Sequence, residues 1–357
     1  MNKILYSIVA ATVLFASCKK NDDTKTTEVP FTEMEQTVLN DFTNKVALAG
    51  YNDLQNNADA LYTALNNLNT DATEDNLSTA RTAWKNMRTT WEQCEGFLFG
   101  PVEDNDYDPN MDTWPTDYHQ MDSLLASSNS LALSDIQNAT LSLRGFHPIE
   151  YIIFGVGGSR TAASITDRQK QYMISLATDL KNTCHALYDS WAGAGNFAGK
   201  VTTAGNGSDK YAKRQEVYLA IVGAMTDICS EVGEGKMAEP FGTSVASADS
   251  NIVESPYSGN SSIDFKNNIV GLKNVYMGLN DGKGLSYLVA SKNKDLDNRI
   301  QNEINAAINS FDNITLPYGQ AIYSQRTQVQ NTMTALETLK GTLEGELAAF
   351  VQQYITD

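Results

Sequence analysis

Leu141-Ser142-Leu143-Arg144-Gly145-Phe146-His147-Pro148-Ile149-Glu150-Tyr151-Ile152-Ile153-Phe154-Gly155 places a proline inside an apolar stretch. Proline removes a backbone donor and pushes the residue before it away from the helical region. A helix through this stretch must therefore break or kink. A new helix would begin with Pro148 near its first position, where proline is tolerated. His147 then stands at the helix entry and Glu150 in its first turn, on the same side of the chain. Tyr151-Ile152-Ile153-Phe154 is the one short strand-like run, and it abuts a helical pattern.

Outward from this break, the other prolines, at 30, 101, 109, 115, 240, 256 and 317, mark loops or helix edges. Between them apolar residues recur at helical spacing. Val38, Phe42, Val46, Leu54, Leu61, Leu65 and Leu68 set the pattern for a helix at 32–69. Leu77, Ala80, Trp84, Met87, Trp91 and Cys94 line one face of a second at 73–98, after an Asp71-Ala72-Thr73-Glu74 capping signal. The pattern predicts further helices at 134–154 and 166–192, then at 208–237, 261–279, 293–313 and 321–354. Gly, Ser and Asn gather at 193–208 and 242–262, which read as loops. Residues 99–133 hold three prolines and many Asp and Asn, and read as a long connection with at most a short helix. The fold class is therefore all-α, with two packed four-helix-bundle-like halves at 32–195 and 205–357.

The chain has 357 residues, a formal charge of −17, 3 histidines, 4 cysteines and 8 prolines. That acidity argues against a nucleic-acid partner, which needs clustered Lys and Arg. The cysteines are too few for a disulfide scaffold. Met1-Asn2-Lys3, the apolar stretch to Phe15, and Ala16-Ser17 before Cys18 look like a bacterial lipoprotein signal over residues 1–17, with lipid on the Cys18 thiol. An ordinary secretory signal is the competing reading. Residues 18–31 read as a flexible tether. Cys94, Cys184 and Cys229 fall in apolar-periodic stretches and read as buried thiols.

His147 and Glu150, three residues apart, can bind one metal ion. The competing reading has Glu150 capping its own helix. Glu92 and Glu95 are also three apart, and Glu95 runs into Gly96-Phe97-Leu98-Phe99. A charge there needs a partner, either Arg88, Arg144 or a bound cation. Asp112, Asp117 and Asp122 lie in the long connection with Trp114 and His119. Carboxylates with a single imidazole favour Fe(III), Fe(II) or Mn(II) over a Cys-rich zinc site.

Three blocks resemble one family. Gly145-x-His147-x-x-Glu150 is similar to the Gly-x-His-x-x-Glu signature of imelysin-like proteins, also called the M75 peptidase family. Ala83-Trp84-x-x-x-Arg88-x-x-Trp91-Glu92-Gln93-x-Glu95-x-Phe97-x-Phe99-Gly100-Pro101 resembles its N-terminal block. Glu254-Ser255-Pro256-Tyr257-Ser258, Asp264-Phe265-x-Asn267-Asn268 and Asn274-Val275-Tyr276-x-Gly278 resemble its C-terminal block. The resemblance covers roughly residues 32–354. It implies an all-helical protein of two bundle-like halves, with the motif near their junction. It also implies a cell-envelope protein associated with iron uptake; the Cys18 signal read above adds a lipid anchor, expected at the outer membrane and facing the periplasm or the cell surface. Its metal ligands would be His147 and Glu150, then Glu92 and Glu95, with Glu254 and Asp264 as secondary candidates; Asp117, in a 102–133 loop that no family block matches, is a further secondary candidate by residue type alone. Its cargo would be iron, with zinc or another divalent cation as the alternative, and its partners would be other iron-uptake proteins.

The peptidase name finds less support in the residues. His-Glu-x-x-His is absent, and an inverted form would need histidine where Tyr151 stands. A catalytic zinc needs three protein ligands and a water. His185, the one histidine downstream of the motif, reads as a partly buried helix residue. The expectation is a metal binder, with no catalytic residues assigned. A metallopeptidase, or a helical protein that binds another protein or haem (through His147 or His119), are the alternatives.

Overall fold

The computed structural model describes residues 29–357. The signal segment, Cys18 and the tether up to residue 28 lie outside the described residues. Helix α1 spans 31–70, built from α-helical Phe31–Asp41 and Leu48–Thr70 joined through a π-helical stretch, Phe42–Ala47. Helix α2 is Glu74–Cys94, tightened at its end by a 3₁₀ turn, Glu95–Phe97. Its N-cap is Thr73, whose side chain accepts from the Asn76 N–H. Helix α3 is Phe146–Phe154. Helix α4 is Asp167–Ala192, opened by a capping box between Thr166 and Gln169.

Helix α5 covers 214–241 and carries a π-helical stretch, Glu231–Met237, between Arg214–Ser230 and Ala238–Phe241. Helix α6 is Ser261–Met277 and α7 is Lys294–Ser310. Helix α8 covers 326–354, with a third π-helical stretch at Leu343–Leu347. No strand occurs among the described residues, so the chain is all-α.

Helix α1 packs along both α2 and α4, and α3 lies across α2 and α4. Helix α8 packs against both α5 and α7, and α5 and α7 each pack against α6. The two groups meet where α6 crosses α2. That crossing depends on two glycines. A Cβ on Gly271 would sit 2.1 Å from the Gln93 carbonyl oxygen, and one on Gly96 would sit 2.5 Å from the Gly271 backbone. Only glycine lets two backbones approach this closely. Glu92 and Glu95 of the α2 segment are thereby brought against Asp264 and Asn268 of α6.

Three expectations need correction. The 134–154 stretch is not one helix. It divides into a short helix, Leu133–Gln137, a 3₁₀ turn, Leu141–Leu143, and α3. The break falls at extended Arg144 and at Gly145, whose φ of 77° is left-handed, ahead of Pro148. The 99–133 connection holds more than one short helix: Pro101–Asp104, Tyr107–Asp112 and Tyr118–Ala126. Finally, 321–354 is interrupted at Gln325, and a separate short helix, Leu285–Lys292, precedes α7. No helix among the described residues is long and apolar enough to cross a membrane.

Candidate metal centre

Gly145 explains the first position of the motif. A Cβ there would lie 1.9 Å from the Met111 carbonyl oxygen. The short helix Tyr107–Asp112 therefore ends directly against the start of α3, and its last residue, Asp112, reaches His147. The His147 ring is buried. Its Nδ1 lies 3.3 Å from Glu150 Oε2, and its Nε2 lies 3.0 Å from Asp112 Oδ1 and 3.9 Å from Glu254 Oε1. Despite these distances Nε2 has no partner in hydrogen-bond geometry. Nε2 and Asp112 are thus close enough for an ion pair but not aligned as a hydrogen bond, which leaves the nitrogen's directional bonding unused.

Glu150 is also fully buried. Its Oε1 accepts the backbone N–H groups of Tyr257 at 3.0 Å and Ser258 at 2.7 Å. Glu150 therefore ties α3 to the 253–258 turn and orients His147, rather than capping its own helix. The same turn supplies Glu254.

Helix α2 contributes Arg88, Glu92 and Glu95. The Arg88 guanidinium is buried and pairs with Asp112, Glu92 and Glu254, the last at 2.6 Å, with Asp264 at 3.5 Å. Glu95 pairs with neither of the arginines expected for it. Its partner is Lys236 of α5, at 2.9 Å. Arg144 instead pairs with Asp179 at 2.9 Å. Asn268 of α6 donates to both Glu92 and Glu95 at 2.7 Å. Asp264 accepts from Ser255 at 2.6 Å and from Asn260 at 2.5 Å. Trp91 donates its indole N–H to Asp112 at 2.7 Å.

Six carboxylates, Glu92, Glu95, Asp112, Glu150, Glu254 and Asp264, are thus buried around two permanent cations, Arg88 and Lys236. The imbalance appears in the protonation states. Burial raises the Glu92 pKa to about 8 against the opposing pull of Arg88 and Lys236. Burial likewise lifts Asp264 to about 6, and holds Glu95 well above the carboxylate range with help from adjacent Glu92. At Asp112 burial is overcome by the Arg88 guanidinium and by His147, which hold the carboxyl below its usual range. Burial opposes charge on the His147 ring, but the Asp112 and Glu150 carboxylates outweigh it and raise its pKa to about 9. The centre is a buried, carboxylate-rich cluster that holds protons on Glu92, Glu95 and His147, and a bound cation would compete with those protons.

Two sets of ligand atoms lie within 4.8 Å of one another: Asp112, His147 and Glu254, and Glu92, Glu95 and Asp112. Of the residues expected from the sequence, His147, Glu150, Glu92, Glu95, Glu254 and Asp264 come together here. Asp117 does not. It is exposed and caps Tyr118–Ala126 by accepting from the Gln120 N–H at 2.9 Å. His119 is exposed, and His185 sits in a separate pair with Asp59 at 3.2 Å. Sequence reasoning grouped Asp112 with the other loop acids and passed over Lys236. Lys236 did carry a signal, falling at helical spacing from Cys229 and Val232 on an apolar face. The three cysteines among the described residues are buried and free, as expected.

The sequence profile of the imelysin family, Peptidase M75, matches residues 47–343. Iron-regulated protein A of Synechococcus elongatus is 28% identical over 320 residues, covering 87% of this chain and 85% of that protein. Among solved structures, an iron-regulated protein A precursor from Parabacteroides distasonis superposes with a TM-score of 0.80 at 24% identity, over 93% of this chain and 97% of that one. An imelysin-like protein from Psychrobacter arcticus superposes with a TM-score of 0.75 at 13% identity, over 91% and 97%. The two superpositions share the helical fold, and the match over residues 47–343 places this chain in the imelysin family.

Proposed function

We propose that this chain is a lipid-anchored envelope protein that binds iron at the His147 centre for uptake. One observation carries the reading: His147 Nε2 is buried without a hydrogen-bond partner and faces the carboxylates of Asp112 and Glu254. One imidazole and several oxygen donors suit Fe(II), Fe(III) or Mn(II). Glu150, on the other ring nitrogen, acts as the outer partner that fixes the ring. The name of the Synechococcus relative, iron-regulated protein A, supports iron over other ions as cargo. Lipidation at Cys18 and docking to iron-uptake partners belong to the same proposal.

Binding is tested by anaerobic titration of Fe(II), and of Mn(II) as an air-stable probe, into wild type and His147→Ala. The expected result is one saturable site in wild type and at least a ~100-fold loss in the variant, beyond the effect of losing one outer-shell partner. Equal binding by the two proteins contradicts the site. Anchoring is tested by labelling with a fatty-acid precursor, and label retained by Cys18→Ser contradicts it.

A further inference from the structure

Lys236 is the cation of the centre for which iron binding gives no role. Its side chain is 1% exposed, and Nζ lies 2.9 Å from Glu95, 3.4 Å from Glu254, 3.5 Å from Glu231 and 3.6 Å from Glu92. Those carboxylates come from α2, from α5 and from the 253–258 turn, so they enclose the ammonium from several directions. Lys236 itself lies in the π-helical stretch Glu231–Met237. Such a stretch inserts a residue into the helical register and recurs at functional positions. Two further observations mark the place as more than a neutral ion pair. Glu254 Oε2, fully buried and 3.4 Å from Nζ, has no hydrogen-bond partner, the ammonium donating instead to Oε1 at 3.5 Å. Glu95 and Glu231 also line a cleft of about 320 Å³ whose other charged walls are Glu103, Asp106, Asp108 and Asp227, with no base among them.

We infer that Lys236 is a tethered counter-cation filling a second carboxylate cage, and that its ammonium limits the centre to a single metal ion. Glu92, Glu95 and Glu254 form the cage, with Glu231 at its mouth on the acidic cleft. Glu254 joins the two compartments: Oε1 lies 2.6 Å from Arg88, 3.9 Å from His147 Nε2 and 3.5 Å from Lys236 Nζ, and Oε2 lies 3.4 Å from the same ammonium. Removing the Lys236 charge leaves an oxygen-only cage of hard donors, which suits a divalent cation of the Mn(II) or Fe(II) class. The inference rests on the iron-binding reading only in treating the neighbouring compartment as a cation site.

The test counts Mn(II) bound at saturation to the full chain by equilibrium dialysis and elemental analysis. Lys236→Gln is expected to bind one more Mn(II) than wild type. Lys236→Gln/Glu95→Gln should lose that gain, whereas Lys236→Gln/His147→Ala should keep one Mn(II) in the cage. An unchanged count in Lys236→Gln, or a gain that survives loss of Glu95, overturns the inference. If Lys236→Gln unfolds in chelator, millimolar Mn(II) is expected to restore cooperative helical melting, and failure to do so also overturns it. The two ideas fail separately: wild type without Mn(II) contradicts the iron-binding reading, while the gain in Lys236→Gln is scored against the wild-type count whatever that is.

Discussion

Helix α2 and the turn that ends it separate two interiors built on opposite principles. On the α1 and α4 side, Phe42, Tyr51, Phe97, Phe99, Trp191 and Phe197 form a continuous ring cluster, with Trp191 and Phe197 centroids 4.7 Å apart and Tyr51 and Trp191 5.5 Å apart. On the α6 side, the same segment buries Arg88, Glu92 and Glu95 among Asp112, Glu254, Asp264 and Lys236. The first interior gains from burial of apolar area and edge-to-face ring contacts. The second incurs desolvation that ion pairs offset incompletely. A fold seeking stability alone would extend the first kind across the molecule. The charged interior is therefore the region that the proposed cation site would account for.

The largest expected effect is Arg88→Met. It strips the guanidinium from buried Asp112, Glu92, Glu254 and Asp264, so it should cost at least the ~3–5 kcal/mol typical of breaking a buried pair. Chemical denaturation measures this loss. A variant as stable as wild type would remove the electrostatic half of the comparison. Trp191→Ala should lose a comparable ~3–5 kcal/mol through a cavity, yet bind Mn(II) with unchanged affinity. A large loss of binding there would show that the two interiors are not separable.

The pH dependence sharpens the contrast. Glu92 holds its proton up to about pH 8 in the folded state, against an ordinary value of 4.5. The stability it gives is fully present below pH 4.5 and is lost as pH rises through 8. His147, raised from 6.5 to about 9, contributes stability that is complete below pH 6.5 and lost as pH rises through 9. Asp112 is depressed, so its contribution is present above pH 3.8 and disappears only in stronger acid. Metal-free protein should therefore lose Tm as pH rises from about 4.5 to 9, most steeply between about 6.5 and 8, where both groups contribute. Trp191→Ala should show the same slope from a lower start, and saturating Mn(II) should flatten it. A pH-independent Tm over that range would contradict the proton-loaded centre.

Smaller effects test the edges of the site. Glu150→Gln leaves Asp112 and Glu254 facing Nε2 but disturbs the partner on Nδ1, so Mn(II) affinity should fall about 10–100-fold. Titration calorimetry decides it, and an effect as large as that of His147→Ala would make Glu150 a direct ligand. Asp117→Ala should cost only about 1 kcal/mol of helix capping and leave Mn(II) binding unchanged.

Local chemistry was readable from residue order. Asp71-Ala72-Thr73-Glu74 announced the capped start of α2, its apolar spacing the buried face, and Pro148 the restart of a helix at His147. Glu92 and Glu95 on that face were visible as charges in need of partners. The partners were not, because Arg88 reaches Glu254 across 166 residues and Glu95 reaches Lys236 across 141. Asp112 and Asp117 look alike in the loop. What separates them is the contact of Gly145 with the Met111 carbonyl, a close approach that no spacing rule reports. The glycine pair Gly96 and Gly271, which sets the crossing of α2 and α6, was hidden for the same reason.

The central claim is that the charged interior exists to hold a cation. Anomalous diffraction from crystals soaked in Mn(II), or in Fe(II) without oxygen, tests it most directly. The account predicts a peak bounded by His147 Nε2 and the carboxylates of Asp112 and Glu254. No peak at full soak, or a peak only on the surface away from His147, would contradict it.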